Sequence, residues 1–254
     1  MPTNKVLNIC LNGDFASADG WVAGSDTVIF GGGTVLVFTA TENATLTPKF
    51  TYTGTTMEYY VDGVLGGTLA STVSGSIAVT TGQTIIYKKP DGWNGVTQVD
   101  LSDDKISGDI NQFVIMASLT ALNLYKCSLL TGSLTSLEGM SLTYLNLNGC
   151  SLLTGSLTSL EDMPLTSLNL GNTSVTATSG CLDTLILMTI FRADECNWSE
   201  AEVDFCLASL VTNEAAGDSG RDCTVTIDGS NAAPSNLDDV LTLRSKNWTV
   251  TVTE

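Results

Sequence analysis

Cysteine and carboxylate side chains are the groups that could carry chemistry in this chain of 254 residues, because the sequence contains no histidine. Without histidine, Ser-His and Cys-His nucleophile pairs are excluded, together with the commonest transition-metal ligand. The seven cysteines are an odd number and cannot all form disulfides within one chain, and none stands in the CxxC spacing typical of zinc sites. These features argue against nucleophilic catalysis and against a zinc centre.

Four aspartates lie close together in the sequence: Asp100, Asp103, Asp104 and Asp109. Such a cluster could bind calcium, but its spacing matches no EF-hand loop. Glycoside hydrolysis needs a pair of carboxylates placed across a sugar bond, and no such pair is evident. We therefore predict that the chain is not an enzyme and needs no metal or cofactor, with calcium binding at these aspartates as the open alternative.

The spacing of three cysteines indicates a repeat, since Cys127 and Cys150 are 23 residues apart and Cys196 follows after twice that interval. The same skeleton occupies residues 96–106, 119–129, 142–152, 165–175 and 188–198, and its clearest copies read LTALNLYKCSL, LTYLNLNGCSL and LTSLNLGNTSV. The LxL within it predicts a short strand whose two leucines point to one side. Five copies in one register predict strands that stack and bury each other's leucines.

The consensus LxxLxLxxN/CxL resembles that of leucine-rich repeats and covers residues 94–198 as five turns of 23 residues. The resemblance implies a solenoid with a parallel sheet on its concave face and short extended or 3₁₀ segments on its convex face. It also implies that small side chains at the N/C position turn inward and bond to the backbone of adjoining turns. These residues are Asp104, Cys127, Cys150, Thr173 and Cys196. Cysteines buried in such a ladder are inert; the alternative is that they are metal ligands or redox thiols.

Residues 199–254 depart from the repeat and predict a cap that carries helices. Ser199 and Glu202 have the spacing of a capping box, and apolar residues follow at helical spacing up to Gly217. The predicted elements after it are a strand at residues 225–227, a helix from Pro234 and a final strand at residues 248–252. This cap would cover the open hydrophobic end of the last turn.

Residues 1–93 are rich in Gly, Thr and Val and show no such period. Short β-prone runs separated by glycines and turn residues predict an antiparallel sandwich or a small jelly roll. The predicted fold class is therefore mainly β. It comprises an N-terminal β-sandwich-like or jelly-roll-like module at residues 1–93, a leucine-rich-repeat solenoid at 94–198 and a helix-bearing cap at 199–254.

The residues that alternate with the repeat leucines should form rows on the concave face of the sheet. Amides, tyrosines and isolated charges in these rows are typical of carbohydrate and polar protein recognition. The candidate binding residues are Asp100, Asn123, Asn146, Asn169 and Arg192 in one row, Tyr125, Asn148 and Asp194 in the next, and Tyr144 in the row before it. The predicted anchors are Tyr125 and Tyr144, on adjacent strands about 4.8 Å apart. The alternative is a solvated face whose asparagines bond only to one another.

The net charge of −17 disfavours nucleic acid and anionic membranes as partners, because both require a positive field. No apolar run reaches the length of about 18 residues that predicts a membrane span. The first residues lack the basic and apolar segments of a secretory signal, so we expect the chain to begin its existence in a cytoplasm.

Several stretches resemble leucine-rich-repeat proteins encoded by phages and prophages of Bacteroidota. The specific ones are NWSEAEVD at residues 197–204, GSNAAP at 229–234 and KNWTVTV at 246–252, while NGDF at 12–15 resembles the start of jelly-roll modules in the same group. The resemblance implies a virion surface protein, such as a tail fibre or a receptor-binding decoration, assembled in the host cytoplasm. Its partners would be other virion proteins through the N-terminal module and a host surface glycan or protein, and it could form a homo-oligomer. The alternative is a bacterial cell-surface adhesin.

Overall fold

The computed structural model describes residues 34–216 and 222–254, and in these residues the protein is mainly β, as predicted. Two eight-stranded sheets and one two-stranded sheet hold the strands of this part of the chain. Within the same residues, no helix has both the length and the apolar character needed to cross a membrane. The NGDF stretch and the predicted helix stop at Gly217 lie outside the described residues.

The elements fall into three groups along the chain. Those before residue 94 are β1 Val35–Ala40, β2 Ala44–Leu46, β3 Lys49–Tyr52, β4 Met57–Val61, β5 Val64–Leu69, β6 Ile77–Val79 and β7 Thr84–Lys88. Those of the repeat are β8 Val96–Asp100, β9 Ile106–Asp109, β10 Ala121–Asn123, β11 Leu129–Ser133, β12 Tyr144–Asn146, β13 Leu153–Ser156, β14 Ser167–Asn169, β15 Ser174–Thr176 and β16 Ile190–Arg192. The last group is α1 Glu200–Ala216, β17 Thr224–Ile227, α2 Asp238–Ser245 and β18 Thr249–Val252.

One eight-stranded sheet, which we call the parallel sheet, contains β8, β10, β12, β14, β16, β17 and β18 in that spatial order. Its register pairs Leu122 with Val99 on one side and with Leu145 on the other, and Leu168 and Phe191 follow at the same level. Equal steps of 23 residues therefore bring equivalent residues side by side. β3 completes this sheet by pairing antiparallel with β8.

The other eight-stranded sheet combines strands from both sides of residue 93. β9, β11, β13 and β15 pair in parallel, and β1 continues the sheet by pairing antiparallel with both β9 and β7. The hairpin of β4 and β5 extends it further, so antiparallel pairing occurs where the sequence predicted it. Both sheets thus cross the predicted module boundary, where Trp93 donates its indole N–H to the Thr34 carbonyl at 2.7 Å.

The buried apolar side chains of both sheets form one continuous core in the described residues. The two leucines of each central LxL are fully inaccessible to solvent, as with Leu122 and Leu124 or Leu145 and Leu147. Full burial of a leucine stabilises a protein by about 1.5–3 kcal/mol before entropy is subtracted. A single turn cannot surround its own leucines, so this stabilisation depends on the neighbouring turns.

Short 3₁₀ helices follow β9, β11 and β13, where short extended or 3₁₀ segments were predicted. They span Ile110–Ile115, Leu134–Leu137 and Leu157–Leu160. The side chains of Asp109, Ser133 and Ser156 precede them and accept hydrogen bonds from the backbone N–H two residues further on. These caps satisfy backbone groups that a helix start would otherwise leave unpaired.

The last part of the chain contains two helices and continues the parallel sheet. The predicted capping box is present: Glu202 accepts from the Ser199 N–H at 2.9 Å, and its own N–H donates to Ser199 Oγ at 3.4 Å. The helix predicted from Pro234 begins only at Asp238, whose N–H donates to Oδ1 of Asn236 at 2.9 Å. The asparagine cap, and not the proline, therefore sets the start of α2.

The conspicuous stretches at residues 197–204 and 229–234 lie against each other. The side chain of Asn231 is buried, accepts from the Trp198 N–H at 2.9 Å and donates to the Ala193 carbonyl at 2.6 Å. Trp198 in turn donates its indole N–H to the Val175 carbonyl at 2.7 Å. These residues fasten the last repeat turn to the segment that follows it.

Candidate binding face

The outward face of the parallel sheet carries the residues that alternate with the buried leucines. Its asparagine row consists of Asp100, Asn123, Asn146, Asn169 and Arg192, which are paired in register across the strands. Its tyrosine row consists of Gln98, Ala121, Tyr144, Ser167 and Ile190. Its loop row follows the strands and consists of Ser102, Tyr125, Asn148, Gly171 and Asp194. The predicted binding residues thus all lie in three neighbouring rows.

The asparagine row has a structural role, because side-chain Oδ1 atoms accept hydrogen bonds from backbone N–H groups two residues further on. The bonds run from Ser102 to Asp100 at 3.0 Å, from Tyr125 to Asn123 at 3.3 Å, from Asn148 to Asn146 at 3.2 Å and from Gly171 to Asn169 at 3.2 Å. Such a local turn offers the backbone an alternative to the ladder and so ends the strand. It also fixes the direction of each side chain.

The Nδ2 groups on this face bond to several kinds of partner. Asn123 donates to Oδ1 of Asp100 at 3.0 Å, which is the ladder that the alternative interpretation predicts. Asn146 instead donates to the Tyr144 hydroxyl at 3.3 Å, and Asn148 donates to Oδ1 of Asn169 at 3.3 Å. The three rows are therefore linked to one another, so the asparagines do not bond only among themselves.

The two tyrosines occupy different levels of the face. Tyr144 begins β12 between Ala121 and Ser167 and keeps 36% of its surface exposed. Tyr125 follows the end of β10, is half-buried, and has the Lys126 ammonium 4.8 Å from its ring centroid. The two residues are thus on adjacent turns but four register positions apart, on the order of 10 Å along the strands. The predicted side-by-side pair of anchors is wrong, because the strand spacing ignored this stagger.

Gly171 allows two polar side chains of the loop row to approach each other. A Cβ at this position would lie 2.3 Å from Nδ2 of Asn148 and 2.9 Å from both carboxylate oxygens of Asp194. Any larger residue would push these side chains apart. Asn148 and Asp194 therefore form a compact amide and carboxylate pair above the glycine backbone.

The predicted inward ladder contains buried thiols that bond to the previous turn. Cys127, Cys150 and Cys196 donate to the carbonyls of Leu101, Leu124 and Leu170 at 2.9, 3.0 and 3.2 Å. Burial raises the pKa of Cys150 to about 12 and raises the pKa of Cys127 and Cys196 as well. Since the thiolate is the reactive form, these contacts favour inert structural cysteines. Thr173 differs, because its hydroxyl bonds to the Leu170 carbonyl of its own turn at 2.7 Å.

Asp104 turns inward as predicted, but its partner is not an adjoining turn. Its Oδ1 accepts from the Thr47 N–H at 2.6 Å, in the segment between β2 and β3. Its Oδ2 is buried and has no hydrogen-bond partner among the described residues, which is also true of the Tyr87 hydroxyl. Burial raises the pKa of Asp104 to about 7, helped by the charges of Asp100 and Asp103. The expectation of a bond to neighbouring repeat backbone is wrong here, since the turn before Asp104 is replaced by the N-terminal strands.

A row of threonines escaped the sequence prediction. The hydroxyls of Thr120, Thr143, Thr166 and Thr189 each donate to the carbonyl of the residue 23 positions earlier, at 3.0–3.1 Å. Thr97 extends the row by donating to the Thr51 carbonyl in β3 at 3.3 Å. The signal was present in the invariant second position of the repeat, which we had treated as part of the consensus and not as a hydrogen-bonding group.

A second missed feature is a left-handed residue just before each N/C position. The φ angles are 60° at Asp103, 60° at Lys126, 83° at Gly149, 52° at Asn172 and 56° at Glu195. Only glycine and asparagine adopt this region readily. The sequence offered such residues in two of the five turns, so the shared backbone geometry could not be inferred from residue type.

The face offers hydrogen-bonding groups, an exposed aromatic ring and a few charges. The described residues contain no group of three or more Cys, Asp or Glu side chains arranged to hold a metal ion. No protein-family model, no curated protein and no solved structure matches the chain. Its chemistry must therefore be argued from this geometry alone.

Proposed function

We propose that the chain is a leucine-rich-repeat solenoid that serves as a non-enzymatic surface protein of a phage virion. In this proposal the parallel sheet is the concave face and recognises a glycan or a polar protein of the host surface. The observation that carries the proposal is the register of the parallel sheet, which places the asparagine, tyrosine and loop rows side by side. Solenoids of stacked repeats commonly bind their ligands on such a surface.

The local hydrogen bonds of the face support a recognition role. Oδ1 of Asp100, Asn123, Asn146 and Asn169 is already bonded to the backbone, so these side chains lose little freedom when a ligand binds. A surface that is ordered in advance gains affinity because it avoids part of this entropic cost. The face is thus better suited to a rigid polar ligand than a row of mobile side chains would be.

The chemistry of the rows favours an uncharged polar ligand. Tyr144 and Ile190 expose 36% and 39% of their surfaces in the tyrosine row, and the hydrogen-bonding asparagine row lies beside them. An exposed ring next to amides is the combination with which proteins bind sugars and polar protein surfaces. The net charge of −17 disfavours an anionic ligand by repulsion. A neutral envelope polysaccharide is therefore the ligand class that we favour.

The same face could serve a bacterial cell-surface adhesin, which is the second candidate. In the virion proposal the N-terminal module contacts other virion proteins, and the assembled particle carries the chain outside the cell. A gene among virion structural genes would favour the phage protein, whereas a gene that encodes a secretory signal would favour the adhesin.

The proposal is tested by measuring binding of the full chain to an array of neutral and acidic bacterial polysaccharides and to intact Bacteroidota cells. We expect binding to neutral glycans that Tyr144→Ala weakens at least about tenfold, since aromatic anchors dominate such interfaces. Leu152→Ala is the matched control, because Leu152 belongs to the same turn and is 47% exposed but lies outside the three rows. Equal binding by both variants would remove the recognition role from this face.

A further inference from the structure

The loop before β16 is held to α1 by polar groups that water does not reach. Oγ of Ser209 accepts from the Leu182 N–H at 2.8 Å and donates to Oδ1 of Asp183. Nδ2 of Asn213 donates to the Leu182 carbonyl at 2.8 Å. Ser209 and Asn213 are both buried and lie one turn apart on the same side of the helix. This contact fixes the position of residue 181 relative to the helix.

Cys181 and Cys206 meet within this contact. Cys206 lies one helical turn before Ser209, and Cys181 immediately precedes Leu182, so the flanking hydrogen bonds hold the two residues together. Both side chains are fully inaccessible to solvent, and the Cys206 thiol is hydrogen-bonded to the Cys181 sulfur. Cys127, Cys150, Cys196 and Cys223 differ, because their thiols donate to backbone carbonyls.

We propose that Cys181 and Cys206 are a site of oxidative modification, at which a disulfide fastens α1 to the preceding loop. The oxidant is a small disulfide such as oxidised glutathione. The Cys181 thiolate attacks one sulfur of the oxidant and releases one reduced glutathione as the leaving thiol. The Cys206 thiolate then attacks the Cys181 sulfur of the mixed disulfide and releases the second. The protein loses two protons and two electrons, and the oxidant becomes two thiols.

The hydrogen bond between the two thiols assigns their roles. The bond from Cys206 lowers the pKa of Cys181, whereas burial raises that of Cys206. Cys181 is therefore the group that forms the thiolate more readily and attacks first. Because both sulfurs are buried, the oxidant must reach them during folding or when α1 detaches from the loop. We therefore expect slow oxidation of the folded chain and complete oxidation of a chain that folds in the presence of the oxidant.

The disulfide would stabilise the cap strongly. It closes a loop from residue 181 to residue 206, and a loop of about this length restricts the unfolded chain by several entropy units. We expect the Tm of the oxidised chain to lie about 10 °C above that of the reduced chain. A virion surface protein leaves a reducing cytoplasm for an oxidising medium, so such a crosslink would form where stability is needed; this sentence alone depends on the proposed function.

The test refolds the full chain from denaturant in buffers with increasing ratios of oxidised to reduced glutathione. Free thiols are then alkylated, and peptides are identified by mass spectrometry. We expect one intramolecular crosslink, joining the peptides of Cys181 and Cys206, together with the rise in Tm. If both residues remain alkylated at every ratio, or if the crosslink joins other cysteines, the proposal is overturned.

Two variants give a second readout. Cys181→Ala should remove both the crosslink and the difference in Tm between oxidised and reduced samples. Cys150→Ala, which changes an equally buried thiol bonded to a carbonyl, should retain both. If Cys181→Ala fails to fold, the peptide masses of the unaltered chain still decide. A difference in Tm that persists in folded Cys181→Ala would contradict the assignment.

Discussion

The middle of the repeat and its two ends are built on different terms. In the middle, Cys127 and Cys150 bond to the carbonyl of the previous turn, and Thr143 and Thr166 do the same on the other side of the strand. At the N-terminal end, Asp104 occupies the cysteine position but bonds to Thr47 in the preceding module. At the C-terminal end, Asn231 and Trp198 make the closing contacts. A turn thus depends on its neighbour, and at an end the neighbour is different.

Removing the C-terminal neighbour should have the largest effect. Deletion of residues 199–254 exposes the edge of β16, Phe191 and Trp198, which are otherwise buried. An unpaired strand edge beside exposed apolar surface favours aggregation. We expect the truncated chain to aggregate or to unfold without a cooperative transition, as measured by size-exclusion chromatography and thermal melting. A monomeric truncation with unchanged melting would show that the repeat needs no closing segment.

At the N-terminal end we expect a pH effect from Asp104. Its folded-state pKa of about 7 exceeds the ordinary value of 3.8, so the folded protein binds a proton more tightly than the unfolded chain. Stability is then greatest below about pH 4, falls as the pH rises through the interval to about 7, and is constant above it. Asp104→Asn should flatten this profile and raise the free energy of unfolding at pH 8 by about 3 kcal/mol.

Denaturant titrations between pH 4 and pH 8 measure this effect. Asp103→Asn is the control, since it removes an exposed carboxylate from the same turn and asparagine tolerates its positive φ. We expect Asp103→Asn to keep the pH dependence of the unaltered chain. A profile that is the same for Asp104→Asn would place the titrating group elsewhere.

In the middle we expect the smallest effect. Thr143→Val removes one hydroxyl that donates to the Thr120 carbonyl at 3.1 Å and leaves the side chain its shape. A hydrogen bond of this kind contributes about 1 kcal/mol, so the free energy of unfolding should fall by about that amount. Thr143→Ser keeps the donor and should lose less. If the valine variant is as stable as the unaltered chain, the threonine row does not stabilise the stack.

The same contrast explains what the sequence could predict. A repeat supplies several copies of each observation, so the buried leucines, the register of the rows and the inward cysteines could be inferred from spacing. Residues 34–93 supply one copy each, and nothing in the sequence indicates that β1 pairs with β9 or that β3 pairs with β8. The stagger of Tyr125 and Tyr144 was missed for a different reason: row positions were read, but strand ends were not.

The threonine row also limits how this protein can change in length. Each hydroxyl finds its acceptor one turn back because all turns share one residue count. Duplication of a whole 23-residue unit reproduces every donor beside its acceptor, so the array can grow by gene duplication without new contacts having to evolve. An insertion of one residue would instead move every side chain after it to the opposite face of its strand. Length in this protein is therefore inherited in whole turns, and the rows of the face would lengthen with it.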